Sequence, residues 1–248
     1  MVLAVIPARW ASTRFPGKPL ANISGKSMIQ RVLEQVNLST RVDQVIVATD
    51  DERIFRHVQD LGGTVMMTDP VHPSGTDRCA EVANLFPEAR IILNVQGDEP
   101  FVSPLQIDLL TETLLQNTYA SIATLAKQID RSDFLYNPNV VKVVFSEIVG
   151  AIYFSRHPIP FVQGTEPKSW LEQQSFYKHI GLYGFRRDAL MKIAQLSPTP
   201  LEMAESLEQL RWLEHGFRIA IGLTELETIG IDTPEDLEHL QHNLLPGK

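Results

Sequence analysis

Short apolar runs alternate with amphipathic segments over the first half of the chain, and this alternation constrains the fold more than any other feature. The runs are short and rich in valine and isoleucine, as in buried strands, and they occupy residues 2–6, 45–48, 64–67, 91–95 and 120–126. Helix N-cap signals stand between them at Ser27, Thr49, Thr76 and Ser103. This β-α repetition predicts an α/β fold with a mainly parallel, mixed central sheet and helices on both faces.

The alternation of apolar runs and amphipathic segments changes past about residue 127. Two strands are predicted at 140–145 and 151–154, with a turn at 147–150 between them. Residues 163–175 are polar and poorly patterned, which predicts a mobile loop or an insertion that contacts a second subunit. Residues 180–185 fit a strand or a loop. We expect one domain, 1–248, with a smaller inserted substrate-binding and dimerisation subregion at about 127–187.

The end of the chain returns to helical patterns. A helix is predicted to start at Asp188, an acceptable N-cap residue. Residues 201–215 predict one amphipathic helix that ends at Gly216, followed by a strand at 218–221. Residues 234–244 predict a terminal helix.

Composition excludes several classes of function. The net charge of −8 and the pI near 5.4 argue against nucleic acid as a partner. The single cysteine, Cys79, allows no internal disulfide and fits a reducing compartment, so we expect a cytoplasmic protein. Pro7 ends the opening apolar run too early for a signal peptide or a membrane span. No G-x-G-x-x-G motif follows the first strand, so the main signature of a dinucleotide oxidoreductase is missing.

The loop after the first strand concentrates positive charge at Arg9, Arg14 and Lys18. Open α/β sheets bind ligands at the carboxyl ends of their strands. Cations and exposed backbone N–H groups at that position suit a polyphosphate. The alternative interpretation is a surface loop whose charges are solvated.

Three further segments carry polar residues at places where strands end or helices begin. Residues 72–78 form a glycine-containing turn before a helix, where Arg78 suits a base or a phosphate. Asp98 follows a buried strand and the turn at Gly97, which suits Mg²⁺ beside a phosphate. Residues 230–236 contain Asp232 before Pro234. In each segment the alternative is an ordinary turn or helix cap.

Taken together, these segments closely resemble the 3-deoxy-manno-octulosonate (Kdo) cytidylyltransferases. The resemblance lies in eight pieces that occur in order over nearly the whole chain. They are PARWASTRFPGKPL at 7–20, SGTDR at 74–78, NVQGDEP at 94–100, NPNVVKVV at 137–144, YFSR at 153–156, KHIGLYGFR at 178–186, LEQLR at 207–211 and IDTPEDLE at 231–238. Residues 163–175 are the main part left unmatched, and residues 227–229 depart from the usual approach to the aspartate motif.

The resemblance implies a nucleotide-diphospho-sugar transferase-like fold and transfer of CMP from CTP to the anomeric hydroxyl of Kdo, with Mg²⁺ required and pyrophosphate released, for lipopolysaccharide biosynthesis. It also implies a role for each matched position. Arg9 and Lys18 become triphosphate ligands, Asp98 and Asp232 metal ligands, and all four catalytic. The cytidine contacts implied are Ala8, Ser74, Arg78 and Gln96. The acid-sugar contacts implied are Arg156, His179, Tyr183 and Glu208, with Gln96 at the border.

The resemblance further implies a homodimer that forms through the subregion in the second half. Two alternatives stay open from the sequence. One is a cytidylyltransferase for another acidic sugar of the sialic-acid type. The other is a non-catalytic nucleotide-binding domain, against which the pair Asp98 and Asp232 argues, because a binding module needs no paired metal ligands.

Overall fold

The structure is a computed structural model that describes residues 1–11, 15–228, 230–231 and 233–243, without the side chains of 241–243. The strands are β1 (Val2–Ala8), β2 (Asn22–Ile23), β3 (Lys26–Ser27), β4 (Gln44–Thr49), β5 (Val65–Met67), β6 (Ile91–Asn94), β7 (Ile122–Ile129), β8 (Lys142–Ser146), β9 (Gly150–Ser155), β10 (Phe176–Arg186) and β11 (Ile219–Leu223). The helices are α1 (Met28–Asn37), α2 (Glu52–Asp60), α3 (Gly75–Asn84), α4 (Pro104–Gln116), α5 (Ser132–Tyr136), α6 (Trp170–Gln173), α7 (Arg187–Ile193), α8 (Pro200–Glu205), α9 (Glu208–Glu214) and α10 (Pro234–Asn243). Within the described ranges, none of these helices has the length and apolar character that a membrane crossing needs.

The chain forms two compact units. The first unit comprises Met1–Asp108 with Thr228–Lys248, and the second comprises Leu109–Glu227. The subregion predicted at about 127–187 falls inside the second unit. Its suggested substrate-binding and dimerisation roles stay predictions.

The first unit contains a parallel sheet in the order β6-β1-β4-β5. Its central strand β1 is apolar and deeply buried, since residues 3–6 are 0% exposed. All four strands run in the same direction, so their carboxyl ends lie along one edge. The loops that follow β1 and β6 therefore start side by side, as the sequence predicts.

Side-chain caps set the starts of the helices in this unit. The N-cap of α1 is Ser27, whose hydroxyl accepts from the backbone N–H of Gln30 at 3.2 Å, as predicted. The predicted cap Thr49 is wrong because it ends β4, and Asp51 caps α2 instead. The predicted cap Thr76 is also wrong. Ser74 caps α3 by accepting from Asp77 N at 3.2 Å, which starts the helix earlier.

The second unit contains a mixed set of strands. β11 pairs with β7 in parallel, whereas β10 is antiparallel to both β7 and β8, and β8 and β9 form an antiparallel hairpin. The ambiguous residues 180–185 belong to the long strand β10, which shifts register against β7 between Ile180 and Tyr183. This bulge re-aims the side chains that follow it.

Several boundaries in the second unit differ from prediction. The single helix predicted at 201–215 is wrong: α8 and α9 are separated at Ser206, whose φ of 51° is left-handed and stops the first helix. α7 begins at Arg187, so Asp188 lies in its first turn rather than at its cap. The polar stretch 163–175 contains α6, whose Trp170 is buried against Phe176. In the first unit, α10 ends at Asn243, and Leu244, the predicted end of this helix, lies outside the described residues.

Candidate active site

A pocket of about 220 Å³ opens at the carboxyl edge of the parallel sheet in the first unit. Every cytidine and triphosphate residue implied by the resemblance lines this pocket, and so does the implied metal ligand Asp98. The lining residues are Pro7, Ala8, Arg9, Lys18, Pro19, His72, Pro73, Ser74, Gly75, Arg78, Gln96, Gly97 and Asp98. The three loops singled out from sequence after β1, before α3 and after β6 therefore converge on one cavity.

Lys18 and Asp98 form an ion pair in the pocket. The Lys18 ammonium donates to Asp98 Oδ2 at 2.7 Å and to the carbonyl of Ile231 at 2.9 Å. The Lys18 side chain is 12% exposed and that of Asp98 is 32% exposed. The backbone N–H of Ile231 in turn donates to the Asp98 carbonyl at 3.0 Å. These bonds attach the residue before Asp232 to Asp98. Asp232 itself lies outside the described residues.

Gly97 allows the loop after β6 to approach the end of β1. A Cβ atom at this position would stand 2.7 Å from the carbonyl oxygen of Pro7, closer than real Cβ contacts allow. The close approach places Gln96 and Asp98 at the mouth of the same pocket. The Gln96 amide donates to Asn94 Oδ1 at 3.0 Å, which orients the side chain at the sheet edge.

The N-terminus of α3 opens on the pocket through Ser74 and Gly75. Backbone N–H groups and the helix dipole at such an end favour an electron-rich ligand group. Arg78, in the same helix, is only 3% exposed, and its guanidinium donates to Asp50 Oδ2 and to Thr68 Oγ1. Arg78 is therefore charge-paired inside the protein while it lines the pocket.

Contacts to Trp10 stabilise the loop after β1. The N–H of Gly17 donates to the Trp10 carbonyl at 3.1 Å, and Gly17 has a left-handed φ of 73°. The Arg53 guanidinium lies 3.3 Å from the centroid of the Trp10 ring, in a cation–π contact. Arg9 is exposed at the pocket. The third predicted cation, Arg14, lies outside the described residues.

In the second unit, His179 is held by Thr124. The Thr124 hydroxyl lies 2.7 Å from the carbonyl oxygen of Leu182, to which it donates, so its oxygen accepts from His179 Nε2 at 2.9 Å. Burial lowers the pKa of His179 to about 3, which keeps the ring neutral near pH 7. With the proton on Nε2, the other ring nitrogen is an acceptor.

Tyr183 lies next to His179, with ring centroids 5.3 Å apart, and packs edge-on against Trp212 at 4.8 Å. Its hydroxyl is buried and has no hydrogen-bond partner within the described part of the chain. Burial and the negative charge of Glu208 raise the pKa of Tyr183 well above its usual value, so the hydroxyl stays protonated. A buried O–H group without a partner is available to a ligand.

Arg156 is anchored by the backbone around it. Nε donates to the carbonyl of Glu205 at 2.6 Å, and the two terminal nitrogens donate to the carbonyls of Pro138 at 3.0 Å and Ser206 at 3.2 Å. A guanidinium has five N–H groups. Counting partners only within the described ranges, one N–H remains on each terminal nitrogen, and such a pair can grip a carboxylate.

Three charged residues that hold site residues in place were not predicted from the sequence: Asp50, Lys142 and Glu205. Asp50 directly follows β4, the same kind of position that drew attention to Asp98. Lys142 interrupts an otherwise apolar strand, which marks it as unusual. No sequence signal distinguishes Glu205 from the other glutamates of the helical segment.

Comparisons with known proteins agree with the motifs. The sequence profile of the family described as "Cytidylyltransferase" matches residues 3–221. A 3-deoxy-manno-octulosonate cytidylyltransferase of Cytophaga hutchinsonii is 51% identical, over 97% of this chain and 96% of that protein. One of Parabacteroides distasonis is 52% identical over 95% of each chain. The chain belongs to the 3-deoxy-manno-octulosonate cytidylyltransferase family.

Solved structures of other cytidylyltransferases agree with the fold. A structure described as CMP:2-keto-3-deoxy-manno-octonic acid synthetase complexed with CTP is 40% identical, has a TM-score of 0.90 and covers 98% of each chain. This similarity confirms the predicted α/β class with a mainly parallel, mixed sheet. A cytidylyltransferase of Leptospira borgpetersenii matches all of this chain and 87% of its own at a TM-score of 0.63, but at 19% identity it shows the fold alone. The roles of individual residues stay predictions.

Proposed function

We propose that this protein transfers CMP from CTP to Kdo and releases pyrophosphate, a step in lipopolysaccharide biosynthesis. The observation that carries the proposal is the convergence of three of the family's motifs, those at 7–20, 74–78 and 94–100, on one first-unit pocket with cationic and acidic groups at a sheet edge. Full-length similarity to relatives of that name supports the same reaction. We also place the protein in the cytoplasm, because its single cysteine fits a reducing compartment.

The pocket of the first unit is suited to CTP. Arg9 and Lys18 supply positive charge for the triphosphate, and the α3 N-terminus supplies backbone N–H groups. The Gln96 amide offers both a donor and an acceptor, which can pair with the amine and carbonyl of a pyrimidine. We assign Ala8, Ser74 and Arg78 to the nucleoside side on the family resemblance.

We propose Mg²⁺ as the metal, held by Asp98 and Asp232. Within the described ranges no three acidic, histidine or cysteine side chains cluster as ligands. Proteins usually bind Mg²⁺ through one or two carboxylates together with substrate phosphates. The pocket-lining Asp98 carboxylate is 32% exposed and supplies the oxygen ligand that Mg²⁺ prefers. When bound, the metal would withdraw charge from the phosphates.

The residues assigned to Kdo lie in the second unit. The two remaining N–H groups of Arg156 suit its carboxylate. The Tyr183 hydroxyl donates, whereas the His179 ring nitrogen Nδ1 and the Glu208 carboxylate accept, which suits the sugar's hydroxyl groups. In the reaction, the anomeric oxygen of Kdo forms a bond to the α-phosphorus. The bond from that phosphorus to the β-phosphate oxygen breaks, pyrophosphate leaves, and the hydroxyl proton is released. Lys18 and Arg9 stabilise the developing charge on the phosphates.

A pyrophosphate-release assay tests this function. We expect turnover with CTP and Kdo, and at least tenfold slower turnover with UTP, ATP or GTP, because a wrong base leaves polar groups unpaired. Sialic acid replaces Kdo in a parallel reaction. Faster turnover with sialic acid would refute Kdo as the sugar. CTP binding without pyrophosphate release for any acidic sugar would indicate a nucleotide-binding domain instead.

The metal assignment is tested with Asp98→Asn, Asp232→Asn and the double variant. We expect each single variant to fold and to lose most activity, because asparagine is a poor Mg²⁺ ligand. The double variant should be little worse than either single one, as for residues that act as a unit. Asp60→Asn, an exposed carboxylate on α2, is the control. Near-normal turnover of Asp98→Asn or Asp232→Asn at ordinary Mg²⁺ would refute the metal role of that residue.

We further propose a homodimer that forms through the predicted subregion. The support is apolar surface on and beside the β8–β9 hairpin, where Ile148 is 83%, Ile152 56% and Phe161 74% exposed. Light scattering of the whole protein should give twice the chain mass of 27.9 kDa, and Ile152→Asp should shift it towards the monomer. A monomer at micromolar concentration in the unmutated protein would refute the dimer.

A further inference from the structure

Lys142 is a fully buried lysine in the apolar strand β8 of the second unit. Burial of a charge without partners is costly. Its three N–H groups are satisfied by backbone carbonyls: Asn137 at 3.0 Å, Val140 at 2.7 Å and Arg156. Lys142 thus joins the turn at residues 137–140 to the main chain at Arg156.

Glu205, the last residue of α8, binds the backbone N–H side of Arg156. Its carboxylate accepts from the Arg156 backbone N–H at 2.9 Å and from the Ser155 hydroxyl at 2.7 Å. The two polar groups of the main chain at Arg156 are therefore bound by opposite charges, the N–H by Glu205 and the carbonyl by Lys142. Charge-assisted hydrogen bonds of this kind are stronger than neutral ones.

The Arg156 guanidinium closes the arrangement. It donates to Pro138, which lies in the turn that Lys142 holds, and to the carbonyls of Glu205 and Ser206 at the end of α8. Two segments therefore fix the direction of the guanidinium: the turn at 137–140 and the end of α8. Lys142 and Glu205 attach these same segments to the main chain of Arg156. A shift of either segment would turn the guanidinium away from its present direction.

We propose that Lys142 and Glu205 are positioning residues that hold Arg156 in the orientation needed to grip the carboxylate of the sugar. The proposal rests on the function proposed above, and it assigns two residues outside the implied substrate contacts. Both act through Arg156, so their loss should affect the use of Kdo and leave the use of CTP unchanged.

The full-length variants Lys142→Met and Glu205→Gln test the proposal. Both substitutions keep the size of the side chain and remove the charge. We expect the KM for Kdo to rise at least tenfold, with the KM for CTP within twofold of the unmutated protein. Lys142→Arg should not restore the Kdo KM, because a planar guanidinium cannot direct its N–H groups to three converging carbonyls. Lys192→Met, at an exposed lysine on α7, is the matched control.

The pH profile of the unmutated protein is a second readout that needs no variant. Burial lowers the pKa of Lys142 to about 8; the charge of Glu205 raises it and that of Arg156 lowers it. Lys178 lies opposite Lys142 on β10, and it is ion-paired with Glu227. Above pH 8 the neutral amine keeps only two N–H groups, so the KM for Kdo should rise between pH 8 and 9.5 while that for CTP stays flat.

The outcomes separate the two proposals. No pyrophosphate release by the unmutated protein from CTP and Kdo would overturn both. Turnover in the unmutated protein, with equal losses for CTP and Kdo or no loss in folded variants, would overturn the positioning role alone. If the variants do not fold, a Kdo KM that stays flat from pH 7 to 9.5 would overturn it, and a selective rise would support it.

Discussion

Replacement of Tyr183 by phenylalanine should make the protein more stable and a poorer user of Kdo. The Tyr183 side chain is 8% exposed and packs among Phe185, Trp212 and His179, so phenylalanine fits the same space. The only atom lost is the buried oxygen, which has no partner within the described ranges. The substitution therefore separates the polar group from the packing of the ring.

The two effects have opposite signs and similar sizes. A buried polar group without a partner costs about 1–3 kcal/mol, so its removal should raise the free energy of unfolding by about 1 kcal/mol. A hydrogen bond from this hydroxyl to Kdo contributes about 1.5 kcal/mol, so its loss should raise the KM for Kdo by about tenfold. Since burial raises the pKa of Tyr183 far above neutrality, neither effect should change between pH 7 and 9.

Urea unfolding measures the first effect, and pyrophosphate release at varied Kdo measures the second. Tyr136→Phe is the matched control, because the Tyr136 hydroxyl is exposed and donates to the carbonyl of Pro167 at 2.6 Å. The control should lose a little stability and keep the KM for Kdo. The reasoning is refuted if Tyr183→Phe destabilises the protein by more than 1 kcal/mol or leaves the KM for Kdo unchanged.

Two further predictions concern the first unit. Arg78→Met should lower the free energy of unfolding in urea by about 3–5 kcal/mol, because it leaves the largely buried Asp50 without its partner, and the double variant with Asp50→Asn should recover at least half of that loss. Additive losses would show that the two residues are not coupled. Gly97→Ala should lower the free energy of unfolding by about 1–3 kcal/mol and raise the KM for CTP, because the new Cβ would stand 2.7 Å from the Pro7 carbonyl oxygen and push the loop after β6 away from β1. A stable variant with normal kinetics would show that the loop tolerates the shift.

The sequence predicts the first unit better than the second for a physical reason. A parallel strand buried on both faces must be a short apolar run, and each run here is followed by a helix with its own cap. The carboxyl ends of such strands share one edge, so the positions of Lys18, Gln96 and Asp98 around one cavity follow from the pattern alone. The caps at Asp51 and Ser74 were misplaced by a few residues, because several polar residues compete at each helix start.

The second unit is stabilised by interactions that leave weak local patterns. Residues 201–215 carry a continuous amphipathic pattern, yet the chain breaks at Ser206. The carbonyls of Glu205 and Ser206 around that break both accept from the Arg156 guanidinium, a contact across 49 and 50 residues that no window of the sequence contains. The bulge in β10 before Tyr183 has the same origin, since it depends on pairing with β7. Such non-local contacts override local helix propensity.

The partners and exposure of the cationic side chains are what the sequence leaves most clearly undetermined. Arg9, Lys18, Arg78 and Arg156 all look like anion ligands when only their motifs are known. In the structure Arg9 is exposed at the pocket, Lys18 is paired with Asp98, Arg78 is paired with Asp50, and Arg156 donates to three backbone carbonyls. A buried cation with an internal partner contributes less net charge to a ligand but holds a fixed direction. Within the described residues, the first-unit pocket therefore combines the exposed Arg9 with Lys18 and Arg78, whose geometry is set before the substrates bind, and this lowers the entropy that binding must overcome.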